Sequence, residues 1–423
     1  MHITAHIITI GDEILYGQIL DTNAQWMSQQ LDSIGVKVTQ RLTIGDIKEE
    51  ILNTLKYSED RADIILITGG LGPTEDDLTK PILAEYFGVE MKMDEQALAD
   101  VTAMFKRFKF ELTPVNRLQA NLPSNCTMIP NSLGTAPGMW FDENNTVFVS
   151  MPGVPFEMKE LMSSFIIPKL KEQFDLPVIY HKVVKTIGIG ESWLADKIKP
   201  WTDALPKHIG LAFLPSLREV KLRLTTSGNN VELLQSETDI QIEKLKNYAG
   251  KYIYGYNKDS IESVVGSLLV TKNETISTAE SCTGGYLAHM LTSVPGSSIY
   301  FKGSIIAYAN EVKTEQLGVN QNTLDMHGAV SEQTVIEMAE SVRTKFNTTY
   351  GIATSGIAGP DGGTKEKPVG TVWIAIATPT GTQTKLLSLA KDRMLNIKAS
   401  SKSALALAWQ IFKQLSYEGF HSK

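Results

Sequence analysis

A serine, a cysteine, a threonine and two glycines stand together in ISTAESCTGG, residues 276–285, where an apolar run gives way to a helical pattern. A hydroxyl at such a junction can do two things. It can cap the helix, accepting from the first free N–H groups. It can also attack an electrophile held against the open end of the helix, where a phosphate or a developing oxyanion is stabilised. Both readings of Ser281 and Thr283 stand at this point. Gly284 and Gly285, read as first-turn residues, each cost roughly 1 kcal/mol against alanine and suit a close approach to the backbone.

A nucleophile needs a base. His289 lies eight positions after Ser281, two turns along the helix, and faces away from its start; His327 would have to be brought in by folding. The stretch AYANEVKTEQLG offers Tyr308 at a strand end, Asn310 as a helix cap and Lys313 in the first turn. A first-turn lysine is mismatched with the positive end of the helix dipole. Moving its pKa from ~10.4 to near 7 costs about 4–5 kcal/mol, which burial and dipole together can supply and solvent exposure cannot. The third element is ATSGIAGPDGGTKEKPVGT, residues 353–371, a glycine-rich connection directly after an apolar strand. Such a loop either presents N–H groups to an anion or simply joins two strands. Neither G-x-x-x-x-G-K-[ST] nor G-x-G-x-x-G occurs. Taken together, these elements suggest an esterase or amidase acting on a phosphorylated small molecule.

Repeated α/β units must position these residues. Over the first ~170 residues the strand patterns HITAHIITI, VKVTQRLTI and ADIILITGG alternate with the helical patterns DTNAQWMSQQLDSIG and DIKEEILNTLKYSED. Asp21 or Thr22 is the expected cap of the first helix. Such alternation predicts a parallel sheet covered on both faces, with ligands beyond the carboxyl ends of its strands. TIGDEILYG and TGGLGPTEDDLT fall at those ends. The rhythm changes near Leu176 into a compact α+β unit of two or three strands and two helices, then resumes after Gly255. The expected fold is α/β: two domains with parallel or mixed sheets, 1–172 and 257–423, joined by a small α+β domain, 176–255. The last helix is expected from about Met394 to Ser416.

Composition narrows the class. The chain has 423 residues, 42% hydrophobic and 21% charged, with a formal net charge of −7 and two cysteines, Cys126 and Cys282. That balance describes a soluble globular protein, and it argues against a dedicated nucleic-acid binder. Residues 176–255 carry eleven Lys and Arg against eight Asp and Glu, an excess too small to change that. Two distant cysteines, no signal-peptide pattern and no ~20-residue apolar run predict a cytoplasmic protein without a membrane span.

The motifs TAESCTGG, FKGSIIAYANEVK, HGAVSE and SGIAGPDGG…KPVGTVW resemble the C-terminal domain of the CinA-type competence/damage-inducible proteins. The resemblance implies a nicotinamide mononucleotide deamidase, which hydrolyses the carboxamide to nicotinate mononucleotide and ammonia without a cofactor. It carries over Ser281 as nucleophile, with Tyr308 and Lys313 as the activating pair. It places the nucleotide against Thr283, Gly284 and Gly285 and against Gly356, Ala358, Gly359 and Pro360. TIGDEILYGQILDTNAQW, ITGGLGPTEDDLTK and MPGVPFEM resemble the molybdopterin-binding-like domain of the same family. Related full-length proteins pair that domain with a metal-dependent ADP-ribose pyrophosphatase. Asp76, Asp77 and Glu13, with Asp12 beside them, are then the carboxylates for a divalent cation (Mg, Mn or Co) bridging phosphates. Glu75 stands where a histidine is expected in many relatives. GIGES resembles the KH-like connector, but FLPSLREVKLRL departs from its pattern at Leu217 and Arg218, and no binding role is carried over. The expected partners are the nucleotides and a second copy of the chain, with neither membrane nor nucleic acid. The competing expectations are a molybdopterin-binding protein with an inactive C-terminal domain, and a competence or recombination accessory.

Overall fold

The computed structural model describes residues 3–72 and 77–413. Packing divides the chain into two units. One runs to Tyr180 and takes in Thr226–Gln235; the other holds His181–Thr225 and everything from Ser236 onward.

In the first unit, strands β1 (Thr4–Ile10), β2 (Lys37–Ile44) and β3 (Ile64–Thr68) are followed by a short antiparallel pair, β4 (Met91–Met93) and β5 (Asn121–Pro123). Then come β6 (Thr127–Ile129), β7 (Gly138–Glu143) and β8 (Thr146–Met151). The main sheet has the order β2-β1-β3-β8-β7-β6. It is parallel from β2 to β8 and antiparallel at β7 and β6, so the sheet is mixed. β3 is buried at every position, as a strand covered on both faces must be. Asp21 caps the helix Thr22–Ser33, its carboxylate accepting from the Ala24 N–H at 2.8 Å.

The connector contributes β9 (Val178–Ile187), β10 (Gly210–Ser216), β11 (Glu219–Gly228) and β12 (Ile253–Tyr256) in the order β10-β11-β9-β12, one strand more than the pattern suggested. The C-terminal sheet is built from β13 (Ile276–Glu280), β14 (Phe301–Ile306), β15 (Tyr350–Gly356), β16 (Thr371–Thr378) and β17 (Gly381–Ser388). Its order is β14-β13-β15-β16-β17, with the first three strands parallel and the last two antiparallel. β17 was not legible, because GTQTKLLS offers alternate hydroxyls and charges at an edge. In β16 the period-2 pattern splits cleanly. Val372, Ile374 and Ile376 enter the core containing Trp409 and Leu287, while Ala375 and Ala377 face Val335 and Met338. The alanine face lets the helix Glu332–Lys345 lie close; a Cβ at Gly351 would run into the Ala339 carbonyl and Arg343. The final helix is Arg393–Phe412, starting one residue before the expected position; the expected end at Ser416 lies outside the described residues.

The expected boundary near 255–259 is a seam in sequence that packing crosses. Ile187 and Tyr254 belong to the apolar core of the C-terminal sheet, and Tyr254 meets Trp409 edge-on. Buried Glu219 accepts from Lys402 of the final helix at 2.5 Å and from the Tyr254 hydroxyl at 2.6 Å. Burial pushes this carboxyl up, but those hydrogen bonds and charges outweigh it and hold the pKa below the usual range.

Candidate active site

Three adjacent parallel strands, β14, β13 and β15, deliver the C-terminal candidates at their carboxyl ends, the edge the alternation predicted. Ser281 follows the last residue of β13. Lys313 lies in the helix Asn310–Leu317 that follows β14, and Gly356 ends β15. Lys313 Nζ donates to Ser281 Oγ at 3.1 Å, to the Ala307 carbonyl at 2.8 Å and to the Tyr308 carbonyl at 3.3 Å. Ser281 is 8% exposed and Lys313 1%. Burial lowers the lysine's pKa from its ordinary value, against the opposing pull of Cys282 and Glu311. A buried amine of lowered basicity on a serine hydroxyl is the arrangement that proton abstraction requires.

Cys282 turns the other way. It is buried in the core with Leu287 and Leu291, and burial first of all pushes its thiol up to about 12. At neutral pH the thiolate is then ~1 in 10⁵.

The helix start differs from the expectation in an instructive way. Gly284 and Gly285 precede the helix Tyr286–Thr292 instead of forming its first turn, and both adopt positive φ, 58° and 95°. Glycine is required there by backbone conformation. The N–H groups of Gly285, Leu287 and Ala288 are taken by the Glu280 carboxylate at 3.0, 3.1 and 2.7 Å. Thr283 Oγ1 donates to the same carboxylate at 2.7 Å and pairs with Thr354 Oγ1 at 2.7 Å. At a helix start expected to offer open N–H groups, these three amides are therefore taken from within, by the last residue of β13. Asn310 is the first helical residue and Ala309 the cap.

Tyr308 reaches Lys313 through its carbonyl. Its phenol, on a residue 59% exposed, accepts from Arg393 Nη2 at 2.8 Å, and Arg393 Nη1 donates to the Gly359 carbonyl at 2.6 Å. Asn396, one turn further along the final helix, donates to the Ala358 carbonyl at 2.9 Å. Arg393 and Asn396 thus hold the glycine loop from behind, a pairing across more than thirty positions that no local pattern announces. Gly359, which precedes Pro360, has φ 93°. His327 is exposed, its carbonyl accepting from Lys367; His289 lies in the last turn of its helix beside Tyr286.

In the first unit Asp12 and Glu13 open a short helix after β1. Asp46, which follows β2, carries a raised carboxyl, through burial first and then the negative charges of Asp12, Glu13 and Asp77. Asp46 had not been singled out. Asp76 and Glu75 lie outside the described residues. Carboxylate oxygens suit a hard divalent cation, yet among the described residues no three acidic, histidine or cysteine side chains converge as a metal site. Lys80 nearby donates to the Gln119 carbonyl and side-chain oxygen at 2.9 and 2.8 Å, and burial lowers it to about 8. No helix among the described residues is long and apolar enough to cross a membrane.

A mixed α/β domain with an acidic edge, a four-stranded connector and a second α/β domain carrying a buried serine–lysine pair together define a multidomain class of protein. The chain belongs to the CinA family. Residues 258–412 match the CinA C-terminal domain, 181–255 the damage-inducible protein CinA KH domain, and 6–172 the domain described as "Probable molybdopterin binding domain". A CinA-like protein of Cytophaga hutchinsonii is 50% identical over 414 residues, covering 98% of this chain and 99% of the relative. One from Flavobacterium psychrophilum is 46% identical over 415 residues, 97% and 99% of the two chains. The crystal structure of CinA from Thermoplasma acidophilum, described as of unknown function, shares 33% identity over 39% of this chain and 96% of its own, with a TM-score of 0.37.

Proposed function

We propose that the C-terminal domain is a serine amidohydrolase that converts nicotinamide mononucleotide to nicotinate mononucleotide and ammonia. The observation that carries this reading is the 3.1 Å contact between Ser281 Oγ and a buried Lys313 whose basicity burial lowers. Neutral Lys313 takes the hydroxyl proton as Oγ attacks the carboxamide carbon. The resulting ammonium returns the proton to the departing nitrogen, and ammonia leaves an ester on Ser281. Water, deprotonated by the same amine, then attacks the ester carbon; the C–Oγ bond breaks, the ammonium returns its proton to Ser281 Oγ, and the acid leaves as the carboxylate. Every bond made and broken involves substrate, water, Ser281 and Lys313, so this step calls for no cofactor. The Gly356–Pro360 loop, supported by Arg393 and Asn396, forms the facing wall for the nucleotide. Incubation of the purified protein with nicotinamide mononucleotide, with ammonia and nicotinate mononucleotide quantified, tests this; absence of both products from folded protein refutes it.

A second reading concerns the first unit. Burial first, and then the negative charges of Asp12, Glu13 and Asp77, raise the Asp46 carboxyl at this sheet edge. Asp46, Asp77, Glu13 and Asp12, with Asp76 outside the described residues, are the carboxylates that would hold a divalent cation on the phosphates of ADP-ribose, and such a cation would supply Lewis acidity there. ADP-ribose with Mg, Mn or Co, assayed for AMP and ribose phosphate, decides it. A cytoplasmic homodimer acting on these nucleotides is the accompanying proposal.

A further inference from the structure

Glu280 is 0% exposed, and no lysine or arginine pairs with it among the described residues. A buried carboxylate without a counter-cation is costly unless donors surround it. Four do: the Thr283 hydroxyl and the amides of Gly285, Leu287 and Ala288. The side chain thus reaches forward over the turn that carries Ser281 and fixes its far end to the helix start.

The main chain of the same residue closes a ring. The Glu280 carbonyl accepts from the Ala307 N–H at 2.8 Å, and the Ala307 carbonyl accepts from Lys313 Nζ at 2.8 Å. Lys313 Nζ reaches Ser281 Oγ, which is covalently joined to Glu280. Ser281 is pinned on both sides as well, its N–H donating to the Thr354 carbonyl at 2.9 Å and its carbonyl accepting from Gly284 at 3.1 Å. The turn passes through two positive-φ residues in succession, so its shape depends on something holding both ends.

Resting on the serine–lysine reading above, we propose that Glu280 is the positioning residue of that pair: its carboxylate clamps the 281–288 turn so that the Ser281 hydroxyl is presented to Lys313. Angular precision at a nucleophile affects rate much more than binding. Glu280→Gln keeps the size and loses the acceptor capacity for four donors. Glu280→Asp keeps the carboxyl group and is one methylene too short to reach the same amides.

The experiment measures two quantities on full-length wild type and both variants: steady-state deamidation of nicotinamide mononucleotide, and the rate at which a fluorophosphonate labels Ser281, read by mass spectrometry. Both variants should lose about 10–100-fold in kcat with KM held within about threefold, and labelling should slow in parallel. A variant that labels and turns over at the wild-type rate per folded molecule, with only its Tm lowered, reduces Glu280 to a structural cap and overturns the proposal. Wild type that turns over nicotinamide mononucleotide without labelling at Ser281 overturns the serine–lysine reading itself, and this proposal with it. Wild type that labels while the variants do not slow overturns the role of Glu280 alone.

Discussion

Replacing Lys313 tests the core of the mechanism, and the structure sets the size of the effect. A lysine of ordinary basicity is neutral in ~1 of 10³ molecules at pH 7.4, and each unit by which burial lowers its pKa raises that fraction tenfold. An arginine is neutral in fewer than ~1 in 10⁵. Protonation alone therefore costs Lys313→Arg at least ~10²-fold in kcat/KM, and more in proportion to the lowering that 1% exposure produces. Lys313→Met is the companion variant. It matches the buried stem and removes the base, leaving the Ala307 and Tyr308 carbonyls without that donor. The expected loss there is about 10²–10⁴-fold, as for other general bases. The assay is ammonia release between pH 5.5 and 10, with circular dichroism and Tm as controls. Because the cationic lysine cannot accept a proton, wild-type kcat/KM should fall tenfold per unit on the acid side, with a midpoint below ~10.4. Lys313→Arg should climb across the whole range without reaching a plateau, because its midpoint lies above it. A folded Lys313→Arg within tenfold of wild type at pH 7.4, or one that keeps the wild-type midpoint, would refute the role of this amine.

Cys282→Ala should retain most of the deamidase rate, while Ser281→Ala should lose several orders of magnitude with its fold intact; the reverse result assigns the chemistry to sulfur. Glu311→Gln removes a charge that raises Lys313, so the acid limb should move to lower pH at low salt and hardly at all in 1 M salt; an alkaline shift contradicts the electrostatics. Asp76→Asn/Asp77→Asn should abolish metal-dependent ADP-ribose cleavage and spare deamidation, with unchanged cleavage removing them from that site. A fragment 181–423 should be more thermostable than 256–423, because the shorter one lacks Ile187 and Tyr254 from its core and leaves Lys402 without Glu219; equal Tm values would deny that packing.

What was legible in the sequence is what periodicity and strand ends encode. Apolar runs placed β1, β3, β13, β14 and β15, and the residues after the last three are where Ser281, Lys313 and the glycine loop were read. The connector's extra strand and β17 were hidden because their exposed faces interrupt the apolar signal. Glu280 was missed because an acidic residue at a strand end reads as solvent-facing, and its burial becomes visible only when the turn folds back over it. Arg393 and Asn396 were missed because their partners lie more than thirty positions away. The glycine pair was noticed as first-turn residues, whereas both precede the helix at positive φ, and the Gly285 amide is taken by Glu280.

The contact of Glu219 with Lys402 and Tyr254 has a consequence for how such a chain can be inherited. Its carboxylate is nearly inaccessible, so loss of either basic or phenolic partner leaves a poorly satisfied buried charge. Positions 219, 254 and 402 are therefore expected to change together, as one trait carried by two sequence families. A recombinant that joins the connector of one lineage to the C-terminal domain of another should be stable only where this trio is matched. The junction thereby limits which modules can be exchanged.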